Sequence, residues 1–532
     1  MASAVQNFIT RNRGMVIFLV VVPISFLYQQ WQDFNNWIYR TFFATNKLHD
    51  RRVAEIQQMV KEAHASGKKM CTARAPWKTM SIRKATYKDD LAKIPINLRN
   101  VLSIDREKMI LRVEPMATMG DITHYLVKKG LALSVQVEMD DLTVGGLLMG
   151  IGIETSSHRY GFLFETVEAF EIVTAEGELV RATRDSHPEL FHSLPMSHGT
   201  LGFLVAAELR IVPVKRFIKV EYRPFHSMKQ FSYEMKRLAE TEDEADFLEG
   251  LVFSAQEGVI MVGQMTNRAE SGKVNPINLW FKPWFYTHVA KFLQSGEAVE
   301  YIPLRHYFHR HTPSIFFQFK DLVPFANEAW YRWLFAWMGA PKISLMKYSM
   351  TKELRKRAIE GRVAQDILVP MKDLEESVAL SEKYYGIYPL WICPVRMYNH
   401  GNMEGILKNP ENTNEGDWAM FVDVGIYGIP ESAPRGEYNA IETSRALEHY
   451  TQGKGGFHML YADIFMTRKE FEEMFNHNLY KQVRKNYKAD TAFPAIYDKV
   501  IPEKWLINVE EGLESEGEKA KQEKVLAEET VS

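Results

Sequence analysis

Residues Asp140–Gly161 read DDLTVGGLLMGIGIETSSHRYG, a run whose glycines constrain what can be built around it. Gly145, Gly146, Gly150 and Gly152 fall within eight positions, flanked by small hydroxyl residues. Glycine lacks a Cβ, so its backbone can approach a ligand closely and adopt positive φ, and successive N–H groups can converge on an anion. A pyrophosphate-bearing cofactor would exploit that property. A tightly packed strand-turn, in which glycines only relieve crowding, would use it too, and from these residues alone both readings stand. A Rossmann fingerprint does not: the spacing differs, and no strand-turn-helix is followed by a ribose-binding acid about 20 residues on.

Short strands and helices flank the run. His49–Ala65 has a helical apolar period (Val53, Ile56, Met59, Val60, Ala63) and ends at Gly67. Val101–Val113 predicts a hairpin turning at Asp105–Lys108. Thr118 is placed to cap a helix from Met119 to Lys129, stopped at Gly130. Val167–Val173 and Glu178–Ala182 read as strands about the turn Ala175-Glu176-Gly177, and Leu201–Val212 as a further apolar strand. Beyond Lys215 aromatic residues become frequent and strands alternate with longer helices, so a domain boundary is expected there.

A chain of 532 residues exceeds one compact core, which predicts two globular domains plus accessory segments. Hydrophobic residues at 46% and charged residues at 25% argue against wholesale disorder. A net charge of −2 leaves no electrostatic footprint for a nucleic-acid partner. Two cysteines, Cys71 and Cys393, make neither a disulfide framework nor a thiolate zinc site, and predict a reducing compartment. Gly14–Trp31, GMVIFLVVVPISFLYQQW, is apolar up to Tyr28, close to the roughly 20 residues a bilayer requires. Arg11 and Arg13 before it also suit a secretory signal, but no small-x-small cleavage site follows, which favours an uncleaved anchor. Trp31, Trp37, Tyr39, Phe42 and Phe43 supply interfacial aromatics, and Arg40, Lys47, Arg51 and Arg52 bias the C-terminal side towards the cytosol. The Glu- and Lys-rich tail Val509–Ser532 predicts a solvated helix or disorder.

The order of segments resembles the FAD-binding domain of the vanillyl-alcohol-oxidase (PCMH-type) superfamily. The resemblance runs from Lys69 to Pro213 through CTARAPW at Cys71–Trp77, VEPMATMGDITHYLVKKG at Val113–Gly130, the glycine run, ETVEAFEIVTAEGELVRAT at Glu165–Thr183 and ELFHSLPMSHGTLGFLVAAELRIVP at Glu189–Pro213. Further segments are similar to the delta-24 sterol reductase family: WFKPWFYTHV at Trp280–Val289, EYIPLRHYFHRHT at Glu300–Thr312, PKISLMK at Pro341–Lys347 and LYADIFM at Leu460–Met466. That resemblance implies an α+β chain: an N-terminal membrane anchor (1–46), a two-subdomain FAD-binding domain (47–214), a substrate-binding cap domain (215–503) and a charged tail (504–532). It implies FAD contacts from Thr72, Ala73 and Arg74, and from Thr143, Val144, Gly145, Gly146, Leu147, Leu148, Met149, Gly150, Ile151, Gly152, Ile153, Glu154 and Thr155. Gly199, Thr200 and Gly202 would line the flavin. It also implies NADPH as electron donor, a sterol substrate and the endoplasmic reticulum membrane, crossed once with the catalytic domain cytosolic. The early loop lacks the histidine to which many superfamily members link flavin, which predicts noncovalent FAD.

Reducing an isolated trisubstituted alkene takes a hydride and a proton, with protonation expected at the less substituted carbon. The polar candidates for catalysis are Arg305, His309 and His311, beside His306 and Arg310; the bland reading is a basic surface loop or satisfied core histidines. A metal site is not predicted, because no cysteine or carboxylate spacing supports the histidines. Five of eleven tryptophans lie between Trp280 and Trp337, and Trp330, Trp333 and Trp337 share one helical face. Core packing, a sterol-binding wall and a membrane-facing surface all suit that cluster. Two other functions compete: an FAD oxidase of an alcohol or sugar lactone, and a tethered binding protein without catalysis.

Overall fold

The computed structural model describes residues 12–501, apart from 43–45, 76–85, 242, 348–353, 355–357, 359 and 436–437. Part of the early loop after Arg74 and all of the acidic tail lie outside the described residues. At the N-terminus Arg13–Val16, the π-helical Ile17–Val21 and Val22–Phe42 run on as one helix, α1. Asn46–Ala65 forms α2, as its apolar period predicts.

Two short parallel strands, β1 (Met70–Thr72) and β2 (Ala92–Ile94), follow. An antiparallel sheet is then built from β3 (Val101–Asp105), β4 (Ile110–Val113), β5 (Leu131–Leu133), β6 (Val167–Val173), β7 (Leu179–Ala182) and β8 (Phe203–Pro213). Its order is β3-β4-β8-β6-β7, with β5 also paired to β8. The helix α3 (Met119–Val127) begins where Thr118 Oγ1 accepts from Asp121 N, a conventional N-cap. The glycine run, by contrast, opens as a helical turn, α4 (Val144–Met149), and not as a strand.

The second sheet has eight antiparallel strands in the order β12-β9-β11-β10-β14-β15-β13-β16. These are β9 (Phe217–Phe225), β10 (Phe247–Val252), β11 (Gly258–Thr266), β12 (Ala298–Pro303), β13 (Val363–Pro370), β14 (Leu390–Tyr398), β15 (Trp418–Gly428) and β16 (Phe457–His458). Side chains alternate across a strand, so each strand serves two faces. Leu248, Ile367, Ile392, Val422 and Val424 pack under helices α5 (Met228–Glu240), α6 (Leu374–Tyr384) and α7 (Ala440–Gly453). The opposite face joins the core of the first sheet through Leu251, Leu368, Trp391 and Cys393. That inner face also carries three carboxylates, Glu249, Asp366 and Asp423, each 0% exposed. Charged groups are seldom this deep without partners, so this face is where chemistry is to be sought.

Candidate functional site

A cavity of about 2400 Å³ lies between the two sheets, lined on one side by the glycine run and on the other by the inner face of the second sheet. Within the run, the glycines do different work. A Cβ on Gly145 would sit 2.8 Å from Pro115 Cβ, and one on Gly150 would sit 2.8 Å from the Gly146 carbonyl oxygen. A Cβ on Gly152 would meet Leu163 at 3.1 Å and Val137 at 3.2 Å. These three glycines are required by packing. Gly146 faces the cavity, and a Cβ there would meet only Thr143 Oγ1, at 3.1 Å. The Val144 and Gly145 N–H groups donate to Ala117 and Pro115 carbonyls, so they serve the fold.

Of the other residues expected to hold a cofactor, Arg74, Thr143, Leu147, Gly150, Ile151, Gly152, Ile153 and Glu154 also line the cavity. Val144, Leu148, Met149 and Thr155 are buried behind it. Thr72 and Ala73 lie at the end of β1, where Lys88 donates to the Thr72 carbonyl at 3.0 Å. Gly199 (φ +68°) and Gly202 shape the turn into β8; a Cβ on Gly202 would fall 2.5 Å from Ile172. Thr200 Oγ1 is paired with the Tyr480 hydroxyl at 2.6 Å. Next to this turn it is His198 that reaches the cavity.

One end of the cavity is basic. Arg74 donates to Thr143 Oγ1 at 3.2 Å, and Lys499, from the helix α8 (Ile496–Val500), donates to the His198 carbonyl. Burial, reinforced by the charge of Lys88, pulls the Lys499 ammonium down to about 8. A buried cation beside a second one is stabilised by any anion that binds between them. Lys499→Met is therefore expected to weaken flavin retention by about 10-fold or more, the effect of losing one hydrogen bond to a charged group (~1.5–3 kcal/mol). Equilibrium dialysis of the apoprotein against FAD measures it; unchanged affinity would remove Lys499 from the site. A lone lysine far along the sequence carried no signal of this placement.

The segment following β12 folds into a short helix, α-turn Leu304–Phe308, and an irregular chain that turns inward. Arg305 is exposed and lines the cavity, whereas His309 and His311 are buried and do not. His309 Nδ1 lies 2.8 Å from Asp140 and its Nε2 lies 3.0 Å from Thr123 Oγ1, which makes it a satisfied core histidine. His306 Nδ1 accepts from the Asn278 N–H. No group of residues able to hold a metal occurs among the described residues. The centre of the segment is Arg310, fully buried, which donates to Glu249 at 2.6 Å and Glu154 at 2.9 Å and lies 3.5 Å from Glu138. Trp391 Nε1 donates to Glu249 at 2.9 Å, and His311 Nε2 lies 3.2 Å from it. Burial pushes the Glu138 and Glu154 carboxyls up, against the pull of Arg310. Burial would raise Glu249 as well, but Arg310 and His311 hold it well below the usual carboxylate range.

A second acidic cluster sits further along the same sheet. In the register of β13, β15 and β14, Asp366 lies opposite Gly425 and Gly425 opposite Trp391, while Asp423 lies between Leu368 and Cys393. The Tyr427 hydroxyl donates to one Asp366 oxygen and the Tyr461 hydroxyl to the other. Both tyrosines line the cavity. Neither this cluster nor the glutamates around Arg310 could be read from local sequence, because their members are far apart along the chain.

An aromatic wall completes the enclosure. Phe26 of α1 meets Trp337 edge-on at 5.3 Å, and Ser25 Oγ accepts from Lys342 N at 3.0 Å. Trp330, Trp333 and Trp337 are 48%, 58% and 52% exposed, which rules out core packing as their reason for clustering.

Residues 51–183 match the family described as FAD binding domain. The cavity suits that cofactor: it offers a cavity-facing glycine at Gly146, cations at Arg74 and Lys499, and space beyond them. The Delta(24)-sterol reductase of Homo sapiens is 41% identical over 496 residues, covering 92% of this chain and 93% of that protein. A Delta(24)-sterol reductase homolog of Caenorhabditis elegans is 39% identical over 92% of the chain and 94% of its own length. The Delta(24)-sterol reductase of Arabidopsis thaliana is 36% identical over 93% of the chain and 92% of its own. Similarity at this level, along almost the whole length of both partners, places the chain in the Delta(24)-sterol reductase family.

Proposed function

We propose that the chain reduces the delta-24 double bond of a sterol side chain, in sterol biosynthesis, with noncovalently held FAD and NADPH as electron donor. The observation that carries this reading is one cavity shared by the flavin-binding glycine run and a wall of tryptophans. Residues 47–214 would hold FAD, with Gly146 and Arg74 against its pyrophosphate and Lys499 reaching it from the second region, and residues 215–503 would hold the sterol. Bound FAD in its reduced form supplies a hydride to an alkene carbon. The protein's part is placement: a sterol side chain has no hydrogen-bonding handle at its double bond, so an apolar cavity must position it by shape. Trp280, Trp284, Trp337 and Trp391 line that cavity and form the proposed wall. Arg305 is the member of its segment offered to a ligand, while His309 and His311 brace the floor behind it.

Membrane association belongs to the same reading. Arg13–Asn35 is long and apolar enough to cross a bilayer. One side of it (Ile17, Val21, Val22, Ser25) is buried against the protein, while Leu19, Leu27, Trp31, Phe34 and Trp37 are exposed. Together with Trp330, Trp333, Leu334 and Trp337 they make an apolar surface of the kind that enters lipid, and we place it in the endoplasmic reticulum membrane with the body cytosolic. A water-insoluble substrate is then met where the cavity wall is made.

The test uses the purified full chain in vesicles containing a sterol with a delta-24 double bond. Without oxygen, NADPH should bleach the flavin absorbance and the sterol should restore it, yielding the saturated side chain. Flavin that NADPH leaves oxidised, or that an alcohol substrate reduces and oxygen alone reoxidises, would instead support an oxidase.

A further inference from the structure

The reductase reading needs a proton as well as a hydride, and the Asp366–Asp423 cluster is built to hold one. Asp366 and Asp423 share the inner face of adjacent strands, both 0% exposed. Both Asp366 oxygens accept from tyrosine hydroxyls. Among the described residues no N–H or hydroxyl donor is directed at either Asp423 oxygen, although the side chain is completely buried. An ionised carboxylate in that position would be a buried, unpaired charge; a protonated one, facing Asp366, is not. Gly425 makes the arrangement possible: a Cβ there would lie 2.8 Å from the Tyr427 ring and 3.0 Å from Asp366 Oδ1. The other titratable group against the pair is Cys393, on β14 opposite Asp423, whose thiol burial pushes far up, so it remains neutral. No lysine or arginine forms an ion pair with either aspartate among the described residues. Of the two tyrosines, Tyr461 is 41% exposed towards the cavity and Tyr427 only 9%.

We propose that Tyr461 is the catalytic acid for sterol reduction, recharged by a proton that the Asp366–Asp423 pair holds, with Tyr427 as a positioning residue. This proposal rests on the reductase reading above. The Tyr461 hydroxyl turns from Asp366 to the alkene, its O–H bond breaks as a C–H bond forms at the less substituted carbon, and the carboxyl proton of the pair passes through Asp366 onto the Tyr461 oxygen. Reduced flavin, when bound, would supply the hydride and its electron pair to the tertiary carbon, so that the alkene gains two electrons and the flavin loses two. The pair, left one proton short, regains it from water in the cavity between turnovers. Burial raises Asp423 well above the usual aspartate range, with Asp366 beside it, and raises Asp366 to about 6, shifts that both favour a proton held by the pair.

The experiment compares wild type with Tyr461→Phe, Asp366→Asn and Asp423→Asn in the full-length, flavin-loaded protein. Flavin is reduced anaerobically with dithionite, and its reoxidation by the delta-24 sterol is followed by stopped flow. Tyr461→Phe, which removes one oxygen and no volume of ring, should keep its flavin and sterol affinity but reoxidise about 10²–10⁴-fold more slowly, the range for a lost general acid. The wild-type rate should fall as alkaline pH strips the pair of its proton, and the residual Tyr461→Phe rate should lack that limb. In the flavin-free protein, infrared spectroscopy should show a protonated carboxyl at neutral pH that Asp423→Asn removes. Should either aspartate variant lose flavin, Tyr461→Phe decides. If wild-type flavin is not reoxidised by sterol at all, the reductase reading fails. If it is, and Tyr461→Phe reoxidises at the wild-type rate with the same pH profile, the proton assignment is overturned and the reductase reading stands.

Discussion

Arg310→Leu is expected to destabilise the protein by about 3–5 kcal/mol at neutral pH, the cost of removing one partner from a buried ion network. Arg310 is the only cation within ion-pair distance of Glu138, Glu154 and Glu249 among the described residues, other than His311, whose imidazole burial drives towards the neutral form. Leucine would leave three buried carboxyls without the cation that pairs with them. The pH dependence has a definite sign. Glu249 is depressed in the native wild type, so its share of stability is present above the unfolded value of about 4.3 and is lost as pH falls through the lower folded one. In the variant the Arg310 charge no longer opposes burial at Glu249, and its pKa rises. The charged form is then disfavoured in the fold, and protonation relieves the penalty. The difference between variant and wild type should therefore be largest at neutral pH and shrink towards pH ~4–5. Chemical denaturation across that range measures it. Arg310→Lys should rescue little, since an ammonium cannot reproduce the fork that binds Glu249 through Nε and Nη2. Equal stability of Arg310→Leu and wild type at neutral pH would mean that the network is only a neighbour of the core and not a support for it.

How much of this was legible in the sequence depended on whether the determining residues were close together. The cap at Thr118, the hairpin about 105–108 and the strand pair ending at Ala182 each rest on a turn or a cap a few residues long, and each is found where it was expected. The glycine run was legible as a close-approach segment but not as a helical turn. VGGLLM is too short for periodicity to separate helix from strand, and the Val144 N–H is claimed by a carbonyl from residue 117. Trp330, Trp333 and Trp337 show a similar limit. An apolar stripe reads alike whether it faces a core or lipid, and the helix itself ends at Phe335, with the last tryptophan in a following 3₁₀ turn. The acidic clusters were illegible for another reason. Glu138, Glu154 and Glu249 look like isolated acids until the fold brings them to Arg310, and Asp366 meets Asp423 only through the register of β13 on β15. The basic character of Arg305–His311 did draw attention to that segment. Its histidines proved to be held by backbone and carboxylate partners, while the arginine between them anchors the network.

Gly146→Val should abolish flavin binding while leaving the fold intact, and comparison with its neighbour makes the reason testable. A Cβ built on Gly146 faces the cavity and meets only the Thr143 hydroxyl, at 3.1 Å, which a small side-chain shift relieves, so a side chain there collides chiefly with ligand. At Gly145 the same substitution would drive into Pro115, whose Cβ lies 2.8 Å from the built atom and whose backbone carbonyl lies 3.1 Å away. Overpacking of that kind costs about 1–3 kcal/mol and more where backbone must move. The two variants should thus separate binding from stability. Gly146→Val should purify colourless, with the thermal midpoint of the wild-type apoprotein and no stabilisation when FAD is added, whereas a binding-competent protein gains stability by mass action. Gly145→Val should melt lower than the wild-type apoprotein before any flavin is considered. Denaturing precipitation of the wild type completes the test, since noncovalent flavin must leave with the supernatant. Full flavin occupancy in Gly146→Val would mean that the pyrophosphate lies elsewhere, with the His198–Gly199 turn beside Lys499 as the next place to look, because that turn also opens onto the cavity.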